Sequence, residues 1–198
     1  MTRRAMRTTS IWDTLNQARG ARLTRDEYRT ELRGVRTAPS SAGIAWRVDT
    51  LSTRLPHDPA WEAWQAGRLQ VAFDRLDDDL PTLRAELRAR RLAGVDLRRI
   101  VISPVIMGGY NAFALEAVRH LARLGENVRV ISANGTRIPE VTVYGDTTWR
   151  LCTTPDQIAD GAVHLDGPAV TEHARVGLGR LWSHGQDLLD LDPPLEHR

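Results

Sequence analysis

The chain has 198 residues, 41% hydrophobic and 26% charged, with a formal net charge of +2. All 27 basic residues are arginine, which excludes chemistry that needs a lysine: pyridoxal Schiff bases, Walker-type phosphate loops, kinase strand lysines and Ser–Lys nucleophile pairs. The 25 acidic residues nearly balance the arginines, so total charge makes no case for nucleic acid, and the single cysteine, Cys152, excludes an internal disulfide or a multi-cysteine metal site.

Residues 1–10 are polar and read as loose. Arg3, Arg4 and Arg7 form a small basic arm with no apolar stretch behind it, so no secretory signal is expected. No apolar run approaches the length of a membrane span, and the expected setting is a reduced cytoplasm. Ile11, Leu15 and Ala18 mark a short helix stopped by Gly20. Thr24 and Glu27 form a capping box for a second helix that ends near Gly34. TAPSSAG at 37–43 reads as a linker, dividing a helical extension (1–36) from a core domain (44–192). WRVDTL at 46–51 alternates as a strand, and Asp58 before Pro59 starts a helix with Trp61 and Trp64 on one face. Leu80, Leu83, Leu87 and Leu92 mark a longer helix. Asp77–Asp79 suit its start and the arginines at 88, 90 and 91 its end. LRRIVIS at 97–103 becomes apolar along its length, as a strand entering a sheet interior does.

After Gly108–Gly109, a helix with Phe113, Ala117, Leu121 and Leu124 on one face runs to Gly125, and NVRVISA follows as a strand. This strand–helix–strand unit implies a right-handed parallel crossover. EVTVYG-DTTWRLC predicts a hairpin turning at Gly145–Asp146, and AVHL at 162–165 a short strand. Asp166 is placed to cap a last helix carrying Val170, Ala174, Leu178, Leu181 and Trp182, and LDPPLEHR reads as a loose tail. The fold class is therefore α/β, with α+β as the alternative: a mixed sheet flanked by helices.

Candidate site residues cluster at SPVIMGGYN, where a strand hands over to a helix, the usual ligand crevice of an open α/β sheet. Gly108 and Gly109 let backbone N–H groups approach an anion at the helix start, while Ser103, Tyr110 and Asn111 add polar side chains. A tight turn accounts for two adjacent glycines equally well. Serine catalysis has no GxSxG elbow. His173 and His184 lie three helical turns apart, roughly 16 Å, too far to share a metal. No metal site and no cofactor is expected. His120 and His164 (beside Asp166) suit acid–base work, although a lone histidine is more often structural. The six tryptophans are explained more cheaply by core packing than by base stacking. Arg84, Arg88, Arg90, Arg91, Arg98 and Arg99 would bind phosphates only if they converged in space; otherwise they are a solvated helix face.

The order of RLTRDEYRTEL (22–32), AWEAWQAG (60–67), RRIVISP (98–104), GENVRV (125–130) and AVHLDGPAVTEHARVGLGRLW (162–182) resembles an actinobacterial family of unknown function, often encoded beside helix-turn-helix regulators. The closing hairpin, short strand and capped helix ending in tryptophan look like half of a phospholipase D-type α/β domain. That superfamily's signature pairs a histidine with a lysine two residues on, so the resemblance implies a catalytically degenerate member. The family's Tyr-x-x-Trp-Glu run is only partly kept: Tyr110 stands, Phe113 replaces tryptophan and Ala114 the acid, with Glu116 half a turn further on.

Two readings of function follow. The first is a non-catalytic regulatory or interaction protein that binds a small anionic ligand and a protein partner such as a helix-turn-helix regulator, with a homo-oligomer within its scope. The second is an enzyme of specialised metabolism with a site near residues 103–120, where Tyr110, Glu116 or His120 supplies acid–base chemistry and Arg129 holds an anionic substrate. It requires at least two of Ser103, Tyr110, Glu116 and His120 to line one cavity. Nucleic-acid binding ranks last, and a membrane partner is excluded.

Overall fold

The computed structural model describes residues 10–36, 43–78, 80–104, 108–132 and 138–191. The basic arm, most of the 37–43 segment and the tail beyond Leu191 lie outside them. The chain is α/β: among the described residues, seven helices flank one mixed sheet of eight strands.

Helix α1 (Ile11–Gln17) starts at a capping box, in which the Ser10 hydroxyl accepts from the Asp13 N–H and the Asp13 carboxylate accepts from Ser10. Its last carbonyls need donors, and the Arg150 guanidinium donates to those of Leu15, Asn16 and Ala18. Strand β1 (Gly20–Leu23) follows, four residues too short to show a pattern in the sequence. A methyl group on Gly20 would run into the His164 carbonyl, so this position is closed to side chains. Helix α2 (Arg25–Arg36) has the Thr24–Glu27 capping box expected of it.

Strand β2 (Gly43–Asp49) leads to α3 (Pro59–Gln65), where the Asp58 carboxylate accepts from the Ala60 and Trp61 N–H groups. Helix α4 (Leu69–Asp78) was not anticipated; α5 (Leu80–Leu92) and β3 (Val95–Ser103) were. Helix α6 (Tyr110–Arg123) crosses to β4 (Asn127–Ser132), which pairs in parallel with β3. The hairpin of β5 (Val141–Tyr144) and β6 (Thr147–Thr153) turns at Gly145–Asp146. Strand β7 (Ala159–Leu165) starts three residues before the expected AVHL. Helix α7 (Pro168–His184) and the two-residue β8 (Gln186–Asp187) close the described chain. One expectation is corrected: Gly167 caps α7 and makes no side-chain cap bond, because Asp166 lies one residue too early and its N–H bonds the Arg19 carbonyl at 3.3 Å.

The sheet order is β1-β7-β6-β5-β2-β3-β4-β8, with β2, β3 and β4 parallel and every other pair antiparallel. The described part of the first 36 residues thus supplies an edge strand as well as two helices. One sheet face packs Trp46, Val48, Ile100 and Ile102 against Leu15 of α1 and Leu178 of α7. Gly177 lets these two helices meet, since a methyl there would stand 2.7 Å from Ile11 Cδ1. The other face carries two apolar clusters. One lies under α2 around Leu32 and Trp149, the other under α6 around Val101 and Val118.

Candidate functional site

Between those two clusters runs a line of charge. Arg47 and Asp49 alternate with the core residue Val48 and therefore share one face of β2, as Arg99 does on β3. The parallel register sets Arg47 beside Arg99, two cations that would repel across the pair. Carboxylates resolve this. Arg47 Nε donates to Asp49 at 2.9 Å, and Arg99 donates to Asp49 and, at 2.7 Å, to Glu126. Burial pushes the Asp49 carboxyl up, but Arg47 and Arg99 outweigh it and hold it below the usual carboxylate range. Among the described residues no cation pairs with Glu140. It accepts from the Thr50 N–H at 2.8 Å and from the Thr50 hydroxyl, while burial and then Asp49 push its carboxyl up.

Beside this line, α2 and α5 enclose a cavity of about 590 Å³. Arg25, Arg29, Arg33 and Arg36 recur every three or four residues along α2 and so share one helix face. With Arg47 and Arg90 they make six arginines lining the cavity, against one acid, Glu86. Glu86 receives both Arg36 (3.1 Å) and Arg90 (2.7 Å). The nearest carboxylate to Arg29 is Asp26 at 3.8 Å, and among the described residues no carboxylate pairs with Arg25 or Arg33. Burial and then the neighbouring Arg29 hold the Arg25 guanidinium below its ordinary value, against the opposing pull of Asp26.

Helix α2 is fixed on the sheet. Leu32 is buried, Tyr28 and Thr142 share a hydroxyl–hydroxyl hydrogen bond of 3.1 Å, and the Glu31 carboxylate receives Trp149 Nε1 at 2.9 Å. His164 Nδ1 lies 3.3 Å from the same carboxylate, so this histidine joins β7 to α2. Guanidiniums on a fixed helix suit oxyanions, which they meet with paired N–H donors.

The described residues expected near 103–120 meet different partners. Tyr110 lines a second cavity of about 490 Å³ whose walls include Asp49, Asp58 and Glu140. Its ring packs on Trp61 and Phe113, and burial followed by Asp58 pushes its phenol up to about 12. At neutral pH it is a hydrogen-bond donor and not a base. Glu116 pairs with Arg119 one turn on, and His120 Nδ1 sits 3.1 Å from Asp77 with its ring stacked on Phe73. The Ser103 hydroxyl donates to the Pro104 carbonyl. Gly108 and Gly109 are exposed at the start of α6, where Gly109 has φ +50°, and the Asn111 N–H closes back on the Gly108 carbonyl. Arg129 lies across the sheet from Tyr110. Its guanidinium donates to the Trp182 carbonyl at 2.7 Å and stacks on that indole at 4.7 Å, tying β4 to the end of α7.

The other arginine group disperses. Arg84 and Arg88 are exposed, Arg91 bonds the Gly125 carbonyl, Arg98 stacks on Trp46 and Trp182, and only Arg90 and Arg99 turn inward. Among the described residues no group of three or more His, Cys, Asp or Glu could hold a metal, and no helix is long and apolar enough to cross a membrane.

Residues 38–190 match the family described as a domain of unknown function, DUF6879. The chain belongs to the DUF6879 family. In this DUF6879 chain the arginines of α2 precede the matched span. Among solved structures it is similar to Nuc, a phospholipase D family member from Salmonella typhimurium, at 16% identity over 78% of this chain and 88% of that one, with a TM-score of 0.47. It is also similar to TrmBL2, described as an archaeal chromatin protein with a novel mode of DNA binding, at 9% identity over 86% of this chain and 54% of that one, with a TM-score of 0.46. Neither likeness bears on the site. No curated protein matches the sequence.

Proposed function

We propose that this DUF6879 chain is a non-catalytic regulatory or interaction protein that binds a small anionic ligand in the cavity between α2 and α5. One observation carries the reading: among the described residues six arginines and a single acid line that cavity, and Arg25 and Arg33 have no carboxylate partner. Like charges crowded on one helix face destabilise it by a few tenths of a kcal/mol per pair, a cost that a bound anion reverses. Among the described lining residues the one carboxylate, Glu86, is held by Arg36 and Arg90, which supports recognition over turnover as the activity of this cavity.

The test is a thermal-melt series at low ionic strength with pyrophosphate, citrate and adenosine diphosphate as probes. At least one should raise Tm in a concentration-dependent way. The Arg25→Gln/Arg33→Gln double variant, which keeps good helix formers on an exposed face, should lose that response. If none of the three probes moves Tm at millimolar concentration, or if the double variant responds like the parent, the reading fails.

A further inference from the structure

Adjoining the arginine-lined cavity is a smaller chamber of about 280 Å³, and the two share Arg36, Arg47, Glu86 and Arg90 as walls. It lies against the first half of β3, at Leu97 and Arg99, away from the strand ends where an α/β sheet usually holds its ligand. Three of its lining residues carry a buried polar atom with no hydrogen-bond partner among the described residues: Arg36 Nε, Arg90 Nε and the Tyr144 hydroxyl. Arg90 is 6% exposed and Tyr144 1%. An unsatisfied buried donor costs about 1–3 kcal/mol, more when it is charged, and native proteins carry few of them. Three such atoms on residues that line one chamber therefore require an explanation.

The charges point the same way. Arg99 is matched by Glu126 and Asp49, and Arg47 by Asp49, whereas Arg36 and Arg90 share one carboxylate, Glu86. Burial and then Arg90 hold the Arg36 guanidinium below its ordinary value, and burial pushes the Tyr144 phenol up, so it remains a donor. The chamber thus has one uncompensated cation and three free polar groups arriving from α2, α5 and β5.

We infer that this chamber is an oxyanion site that takes a phosphoryl or sulfuryl group, with Arg36 Nε, Arg90 Nε and the Tyr144 hydroxyl each donating to a separate oxygen. Three donors from three elements match the three free oxygens of a tetrahedral group better than the two of a planar carboxylate. The inference rests on the proposed function in that the outer cavity is the route in. It narrows the ligand class to a small phosphorylated or sulfated compound whose terminal group lies in the chamber and whose remainder meets the α2 arginines.

Titration of the full chain with inorganic phosphate, sulfate and acetate, followed by calorimetry and thermal melts, tests this directly. Phosphate and sulfate should bind and acetate should not. Tyr144→Phe removes a hydroxyl that has no protein partner, so without anion it should melt at or above the parent's Tm, yet bind phosphate about tenfold or more weakly. Arg90→Lys keeps the charge beside Glu86 but removes the Nε donor, and should also weaken phosphate. If Tyr144→Phe binds phosphate as the parent does, or if acetate binds as well as phosphate, the inference is overturned. The two claims separate cleanly. Arg25→Gln/Arg33→Gln should weaken the larger phosphorylated probes at least tenfold and leave phosphate affinity within about threefold, whereas loss of phosphate binding in Tyr144→Phe identifies the chamber.

Discussion

The two faces of the sheet solve the burial problem in different ways. Under α1 and α7 the contacts are apolar, from Leu15 and Trp46 to Leu178, and the few cations there stack on tryptophan or bond carbonyls at the rim. Under α2 and α5 the same strands present Arg47, Asp49 and Arg99 to the interior. Apolar packing tolerates substitution of similar volume, whereas a buried charge set fails when one member is removed. The first face holds the fold together; the second is chemically committed, and the candidate ligand cavities open on it.

Unfolding measurements can break that contrast. Arg99→Met, which leaves Glu126 buried without its guanidinium, should cost about 4 kcal/mol in urea melts. Leu178→Ala on the apolar face should cost about 3 kcal/mol, through lost transfer energy and a residual cavity. If Arg99→Met proves the milder of the two, the charged face is not the more brittle one.

Smaller effects sharpen the picture through pH. The folded Glu140 carboxyl is raised above its ordinary 4.5, so it holds its proton longer in the native state and drains stability as pH rises from about 4.5 through the raised value. Asp49 has the opposite sign: its carboxyl is depressed, and its contribution is lost as pH falls through the depressed value. Glu140→Gln keeps an acceptor for Thr50 and should melt above the parent at pH 7, with the advantage vanishing below about pH 4.5. An advantage that persists at pH 4 would assign the gain to packing. The smallest stability change belongs to Arg25→Gln/Arg33→Gln, within about 0.5 kcal/mol in a urea melt because neither arginine forms an ion pair among the described residues.

Most elements were legible because their signals were local. Thr24 with Glu27 and Asp58 with Pro59 started helices as expected, and Gly145–Asp146 turned the hairpin. Helix α4 went unread although its signal is local: Leu69, Ala72, Phe73 and Leu76 recur at helical spacing, and Ala72 is buried. Strands β1 and β8, of four and two residues, carry no readable period. The arginine ladder at 25, 29, 33 and 36 stood in the sequence at helix spacing, but periodicity shows only that such residues share a face, not that a second helix closes a cavity over them. Likewise, strand alternation puts Arg98 and Arg99 on opposite sides of the sheet, but LRRIV gave no sign of their different tasks, which depend on partners 27 and more residues away, such as Glu126. The strand–helix junction at 103–111 drew attention through its glycines, while the charge surplus lay at the other end of the same strand.

The most direct test of anion recognition between α2 and α5 is a calorimetric titration of pyrophosphate into the full chain and into Arg25→Gln/Arg33→Gln at low salt. The parent should bind saturably at one site, with affinity falling as salt rises, and the double variant should bind at least tenfold more weakly. Equal affinity in the two proteins, or no saturable heat in the parent, would contradict the assignment.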